Sequence, residues 1–167
     1  MTGDNRIETA AEAYESEALP QARVVHLDPD APRTAEEKPL PEAMSKKPVA
    51  QKSPAEWAYE RLILYIKNFE ETLDNEHEVA MGFAGSETGV MRIEGLGFFD
   101  PDIVTFYGTD QTGTKAQLIQ HVTQLSVMLR ALPKNPDTET PMRIGFRLAN
   151  DLAGDPVDED GRDKQGG

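Results

Sequence analysis

The sequence predicts an α+β fold, a small four-stranded, mostly antiparallel sheet with two helices in the order α-β-β-β-α-β. Three observations predict it. Every aromatic residue except Tyr14 lies between residues 53 and 150, a block of about a hundred residues, which is a usual domain size. In two segments of this block apolar residues recur every three or four positions, as in amphipathic helices. In the other segments they alternate with polar or small residues, as in strands with one buried face.

Residues 1–52 and 151–167 are predicted to be disordered arms on either side of a single domain at residues 53–150. Half of the twelve prolines fall in the first arm. That arm has few large apolar residues, so it cannot bury enough surface to offset the entropy of ordering it. The second arm is an acidic tail with several glycines, and the same argument applies.

The first helix is predicted to begin at Ser53, a serine cap that is followed by Pro54 and by Glu56 at the third helical position. Its apolar stripe is wider than one sheet face covers. We therefore expect either an interaction surface for a second chain or a helix held between the sheet and the second helix. The residues that widen the stripe are Trp57, Ile63, Leu64 and Ile66.

Three strands are predicted between residues 78 and 107. Alternation indicates the first at residues 78–83 and the second from Met91, with a glycine-flanked hairpin turn at 85–89 between them. Gly95 and Gly97 then predict a bulge or a close approach by another backbone. Residues 103–107 are β-branched and aromatic, which is typical of a central strand.

The second helix is predicted from Thr114 to Leu132, because Pro133 cannot continue it. The last strand is predicted at residues 142–148, where apolar and polar or small residues alternate. A helix would carry the chain back along the sheet. We therefore expect this strand to run parallel to the third, either beside it or at the opposite edge beside the first.

The loop at residues 108–115 has the G-x-x-x-x-G spacing of a phosphate-binding loop and lies between a predicted strand and a predicted helix. It ends in Thr-Lys, whereas a nucleotide-binding loop places the lysine directly after the second glycine, which argues against nucleotide hydrolysis. A simpler anion site is expected, because free N–H groups at a helix start attract phosphate or carboxylate. The alternative is that Thr114 only caps the helix, with Gln117 completing a capping box. The anion-binding residues would be Thr112, Gly113, Thr114 and Lys115.

The composition argues against several function classes. A net charge of −13 opposes binding to nucleic acid or to an anionic membrane. The absence of cysteine excludes disulfides, thiolate zinc sites and cysteine nucleophiles. No pair of histidines has the spacing of a helical metal site, so neither a metal nor a cofactor is expected. Neither a signal peptide nor a membrane-spanning stretch is recognisable, which predicts a soluble cytoplasmic protein.

Two groups of polar residues are further candidates. His121 would form a catalytic acid–base pair if the fold brought it to Asp110 or Glu94. Three arginines would bind an acidic partner or the acidic tail if they met on one exposed sheet face, although charges on such a face usually serve only solubility. They are Arg92, Arg143 and Arg147.

Two stretches carry a family resemblance. Residues 53–60 read SPAEWAYE, and residues 97–108 read GFFDPDIVTFYG. They resemble a family of uncharacterised proteobacterial proteins, a domain of unknown function, and the similarity covers the predicted domain but not the arms. The resemblance implies a bacterial, cytoplasmic protein. It brings no activity, so no functional residue is assigned from it.

These observations lead us to expect a small non-enzymatic protein-interaction module, either an adaptor or an oligomerising domain. Its expected partner is another protein or a second copy of the chain, bound through the broad apolar first helix or an open sheet edge. The alternative is a small-ligand or anion-binding domain, with or without enzymatic activity, centred on the loop at residues 108–115.

Overall fold

The computed structural model describes residues 21–83 and 89–154 of the 167-residue chain. Within these ranges helices and strands are both present, so the predicted α+β class is confirmed. The helices are α1 (Glu42–Ser45), α2 (Pro54–Glu71) and α3 (Ile144–Leu152). The strands are β1 (His77–Phe83), β2 (Val90–Phe99), β3 (Ile103–Thr109), β4 (Lys115–His121) and β5 (Val127–Pro133).

The strands form one antiparallel sheet with the order β4-β3-β2-β1-β5. The predicted count of four strands and the predicted parallel pairing are therefore wrong. In the middle of the sheet, Met81 of β1 lies opposite Met91 of β2 on one side and Leu129 of β5 on the other. The register of β2 against β3 shifts between Ile93 and Gly95, which confirms the predicted bulge.

Helices α2 and α3 pack on one face of the sheet, which we call the inner face, and the opposite face is the outer face. Ile63 and Ile66 of α2 are fully buried against it. The connection between the two edge strands, residues 122–126, crosses the same side, where Leu125 lies beside Ile66. The core therefore lies between α2 and the sheet. Its fully buried strand residues are Met81, Ile93, Val104 and Phe106.

The predicted start of the first helix is confirmed. Ser53 caps α2, because its hydroxyl oxygen accepts a hydrogen bond from the Glu56 N–H at 3.0 Å. The same serine donates a hydrogen bond to the carboxylate of Asp100, and the Ala55 N–H donates to the Pro101 carbonyl at 2.9 Å. The turn between β2 and β3 is thereby fastened to the beginning of α2.

The segment before Ser53 takes part in the packing of α2. Met44 of α1 is buried in the core, and Lys52 is buried against α2. Residues 1–20 of the first predicted arm and 155–167 of the second lie outside the described residues. The predicted domain boundaries stay predictions, but side chains that precede residue 53 contribute to the core.

The second helix predicted at Thr114–Leu132 is wrong, since these residues form β4 and β5, joined by the 3-10 turn Val122–Gln124. Leucines at helical spacing produced the error. Within each strand, however, polarity alternates, and Leu118 packs against the core while the neighbouring Gln117 lies on the outer face. β4 pairs along its whole length with β3, and β5 with β1, so hydrogen bonds between strands replace those of a helix.

The strand predicted at residues 142–148 is also wrong, because α3 begins at Ile144. Ile144 and Leu148 are four residues apart and both buried, a spacing that fits a helix as well as a strand. Glu70 of α2 favours the helix. Its carboxylate accepts hydrogen bonds from the N–H groups of Gly145 at 3.0 Å and Phe146 at 3.1 Å, which satisfies the first turn of α3.

Burial raises the pKa of Glu70 above its ordinary value of 4.5, although the two N–H donors act against the rise. A carboxyl whose pKa is raised by folding stabilises the fold fully below pH 4.5, and this contribution is lost as the pH rises through the raised value. We expect Glu70→Gln to remove that loss. The stability of the variant relative to the natural chain should therefore increase as the pH rises above 4.5, measured by urea unfolding at several pH values. A stability difference that stays constant with pH contradicts this prediction.

Candidate functional site

Burial argues against the interaction surface predicted from four residues of the first helix. Ile63 and Ile66 are fully buried, and Trp57 and Leu64 are half-buried. The Trp57 ring is contacted by the Lys52 ammonium, 4.6 Å from the ring centroid, and by the Arg61 guanidinium at 4.9 Å. The alternative, a helix packed on more than one side, describes α2 better, because α3 and the segment before Ser53 also contact it.

The predicted anion-binding residues lie at a hairpin and not at a helix start: Thr112, Gly113 and Thr114 form the turn between β3 and β4, and Lys115 begins β4. The Asp110 carboxylate accepts hydrogen bonds from the Thr112 hydroxyl at 2.6 Å, the Thr112 N–H at 2.9 Å and the Thr114 N–H at 3.0 Å. The Thr112 hydroxyl bond and the N–H donors lower the pKa of Asp110. The turn thus binds an anion of its own chain, and the helix N-terminus on which the prediction depended does not exist.

His121 is paired with neither Asp110 nor Glu94, so that prediction is wrong. Its Nε2 lies 3.0 Å from an Asp102 carboxylate oxygen, and its Nδ1 lies 2.7 Å from the Thr123 hydroxyl. Nδ1 also accepts the Thr123 N–H at 3.2 Å. These bonds cap the 3-10 turn Val122–Gln124. The turn ends β4 and begins the connection to β5.

The outer face of β2, β3 and β4 carries a group of apolar side chains, three of them exposed and Ile103 half-buried. We call this group the outer patch: Phe99, Ile103, Tyr107 and Ile119. Phe99 is 76% exposed, Ile119 62% and Tyr107 44%. Strand pairing brings them together, because Phe99 lies opposite Ile103 and Ile119 opposite Thr105, two residues from Tyr107. None of the described helices covers this face.

Glycine shapes the outer patch. A Cβ atom on Gly95 would lie 3.4 Å from the Tyr107 ring, and one on Gly97 would lie 2.8 Å from the Thr105 hydroxyl. The Tyr107 ring therefore lies across bare backbone of β2 instead of standing away from the sheet. The bulge between Ile93 and Gly95 lies in β2 and places Gly95, not a larger side chain, opposite Tyr107 on the outer face.

A cavity of about 900 Å³ opens where the β3–β4 turn, the end of β5 and residues 134–143 meet the first turn of α3. Arg92, Arg143 and Arg147 all line it. They do not share the exposed sheet face considered for them, because Arg143 and Arg147 belong to the start of α3 and not to a strand. Asp110 and Gly113 of the loop at residues 108–115 line it too. Two separately predicted candidates thus meet at one site.

Sequence reasoning missed Glu78 and Lys134 at this cavity. Glu78 forms an ion pair with Arg92 at 2.8 Å, and its second oxygen accepts the Met142 N–H. Lys134 follows β5 directly. Both residues reach the cavity through the pairing of β1 with β5, which was not predicted, so the sequence alone carried no signal for them.

Among residues 21–83 and 89–154, no group of three histidine or acidic side chains is arranged to hold a metal ion. In the same part of the chain, no helix combines the length and the apolar character that crossing a membrane requires.

Comparison with known proteins places the chain in a family but assigns no activity. No curated protein and no solved structure matches it. A family model described as a family of unknown function (DUF6173) matches residues 49–147, which is more than half of the chain. This region contains both stretches on which the resemblance to an uncharacterised family was based, and that prediction is confirmed. The chain belongs to DUF6173, a family of unknown function.

Proposed function

We infer that this protein is a non-enzymatic protein-interaction module of the bacterial cytoplasm that docks through the outer patch. The observation that carries the inference is the exposure of Phe99, Tyr107 and Ile119 side by side on a sheet face without a helix over it in the described part of the chain. Adjacent exposed apolar side chains of this size mark interaction sites more often than single ones do. The aromatic anchors are also the residue types that dominate binding energy at interfaces.

The partner that fits best is a second copy of the chain. With a net charge of −13, two copies repel each other over most of their surfaces. The outer patch is different, because the outer-face residues between its members are glycine, threonine and glutamine, not acids. Two copies related by a twofold axis would place these faces together and keep their acidic surfaces apart, as sheets packed face to face do.

Light scattering and sedimentation of the full chain over a range of concentrations test this function. We expect a dimer, and we expect Ile119→Lys to raise its dissociation constant by about 100-fold or more. In a twofold dimer each copy contributes one such lysine, so the substitution buries two charges in the interface. Met128→Lys is the matched control. Met128 is also exposed on the outer face, but on the edge strand β5, away from the patch.

A natural chain that stays monomeric at every concentration would overturn the proposed function. So would an equal effect of Ile119→Lys and Met128→Lys, since the outer patch would then not be the interface. A dimer that neither substitution weakens points to another surface, such as the free edge of β4, and also contradicts docking through the outer patch.

A further inference from the structure

The cavity of about 900 Å³ is within the size range of small-molecule sites, which is roughly 300 to 1,000 Å³. It lies at the end of the sheet, beside the outer patch, because its lining residue Thr109 follows Tyr107 by two positions, but no residue of the outer patch lines it. Its chemical character follows from its charged residues and from its apolar wall.

The charged groups that line the cavity favour an anion. Four cations line it, the three arginines and Lys134, against three carboxylates, whereas the whole chain has a net charge of −13. Two of the cations are paired, Arg92 with Glu78 at 2.8 Å and Lys134 with Glu76 at 3.7 Å, and each of the three carboxylates has donors from the chain. Glu78 binds Arg92 and the Met142 N–H, Asp110 binds the turn, and Glu94 accepts the Thr109 hydroxyl at 2.9 Å.

Arg143 shows how the cationic side is held in place. Its guanidinium donates to the backbone carbonyls of His77 at 2.7 Å and Asp74 at 2.8 Å. Carbonyl oxygens fix the guanidinium without neutralising its charge. That charge also lowers the pKa of Asp74 and of Glu70, but it is one of the smaller causes in both. A rigid, positively charged group therefore stands at the cavity wall.

The apolar wall of the cavity is formed by Met142 and Phe146, both about half-exposed, with Pro133, Pro136 and Pro141. The backbone of Phe146 is fixed at the first turn of α3, because its N–H donates to Glu70 at 3.1 Å. Phe146 and Arg147 both line the cavity, so one ligand bound there can contact both. Such walls supply most of the buried area of a small ligand, and the few polar groups orient it.

We propose that this cavity is a binding site for a small organic anion, a carboxylate or phosphate carried on an apolar body. The anionic group lies toward Arg147 and Arg143, and the apolar body packs on Phe146 and Met142. The site is independent of the self-association proposed above, and either proposal can fail without the other.

Three probes that share one aromatic ring test the site: phenyl phosphate, phenylacetate and benzyl alcohol. Each is titrated into the full chain and followed by amide chemical shifts or calorimetry. We expect at least one of the two anions to bind with a dissociation constant of about 1 mM or less, which is usual for so small a ligand, and the neutral alcohol not to bind. Shifts should be centred on residues 143–147 and on the β3–β4 turn. Binding of one anion alone identifies which head group the site takes.

Arg147→Gln should weaken anion binding by about tenfold or more, since it removes a charged donor. Arg130→Gln is the matched control, because Arg130 is an exposed arginine of β5 that does not line the cavity. Phe146→Ala should weaken the aromatic anions while leaving the fold intact, as thermal unfolding verifies. The proposal is overturned if neither anion binds, if benzyl alcohol binds as well as the anions do, or if Arg130→Gln weakens binding as much as Arg147→Gln.

Discussion

Replacing Gly108 by alanine is expected to destabilise the protein by about 3 kcal/mol, a large effect for a single methyl group. Gly108 lies on β3 opposite Ile93, next to the bulge in β2. A Cβ atom there would overlap the carbonyl oxygen of Arg92 and lie 2.7 Å from Cγ of Met91. The overlapped atom is backbone of the neighbouring strand and cannot rotate away, so β2 and β3 must separate.

Gly82→Ala is the matched control for this prediction. Gly82 is also a strand glycine, but a Cβ atom there would lie 3.8 Å from both Met128 and Val90, an ordinary contact distance. We expect Gly82→Ala to change stability little, because alanine also restricts the unfolded chain. Urea unfolding followed by the fluorescence of Trp57, the single tryptophan, measures both variants. A cost for Gly108→Ala no larger than that of the control would show that the strands absorb the methyl group.

The second large effect is expected for Lys52→Met, at about 3 to 5 kcal/mol, because it leaves a buried carboxylate without its cation. The Lys52 side chain is 1% exposed, and its ammonium lies 2.6 Å from a Glu60 oxygen, whose side chain is 8% exposed. The same ammonium donates to the Met44 carbonyl. One side chain therefore fastens the segment before residue 53 to α2.

Lys47→Met is the control for the buried pair. Like Lys52, Lys47 precedes α2 and pairs with a glutamate of α2, Glu56, at 3.2 Å. Its side chain is 46% exposed, so we expect Lys47→Met to cost about 0.5 kcal/mol of stability or less. The double variant Lys52→Met with Glu60→Met should recover most of the loss, because no charge is then buried. A double variant as unstable as Lys52→Met alone would show that packing, and not charge, causes the effect.

The pH dependence of Lys52→Met gives a second readout. Burial raises the pKa of Glu60, and the hydrogen bond and charge of Lys52 oppose the rise. Without Lys52 the pKa of Glu60 should rise further. Stability that depends on the protonated carboxyl is present at low pH and is lost as the pH rises through the raised value. The cost of Lys52→Met should therefore shrink as the pH falls from neutral toward the ordinary value of 4.5.

The elements that could be predicted are those determined by residues close in the chain. The start of α2 needs only Ser53, Pro54 and Glu56, which act within one turn. β1 was recognisable because large and small or polar residues alternate along it, and β3 because its residues are β-branched and aromatic. The three arginines were considered together only as neighbours on a sheet face, and the cavity that they line was not predicted, because residues 134–143 and α3 form one side of it.

The sequence was enough to predict how α2 begins and that Gly95 marks a bulge or a close backbone approach in β2, and its composition shows a strongly acidic chain. That residues 114–132 form two strands and that α3 follows Arg143 depends on tertiary contacts. The physical reason is that the spacing of the apolar residues fits either a helix or a strand. Contacts with residues far away in the chain therefore decide which of the two forms. β1 supplies the hydrogen bonds of β5, and Glu70 caps α3 from 75 residues away.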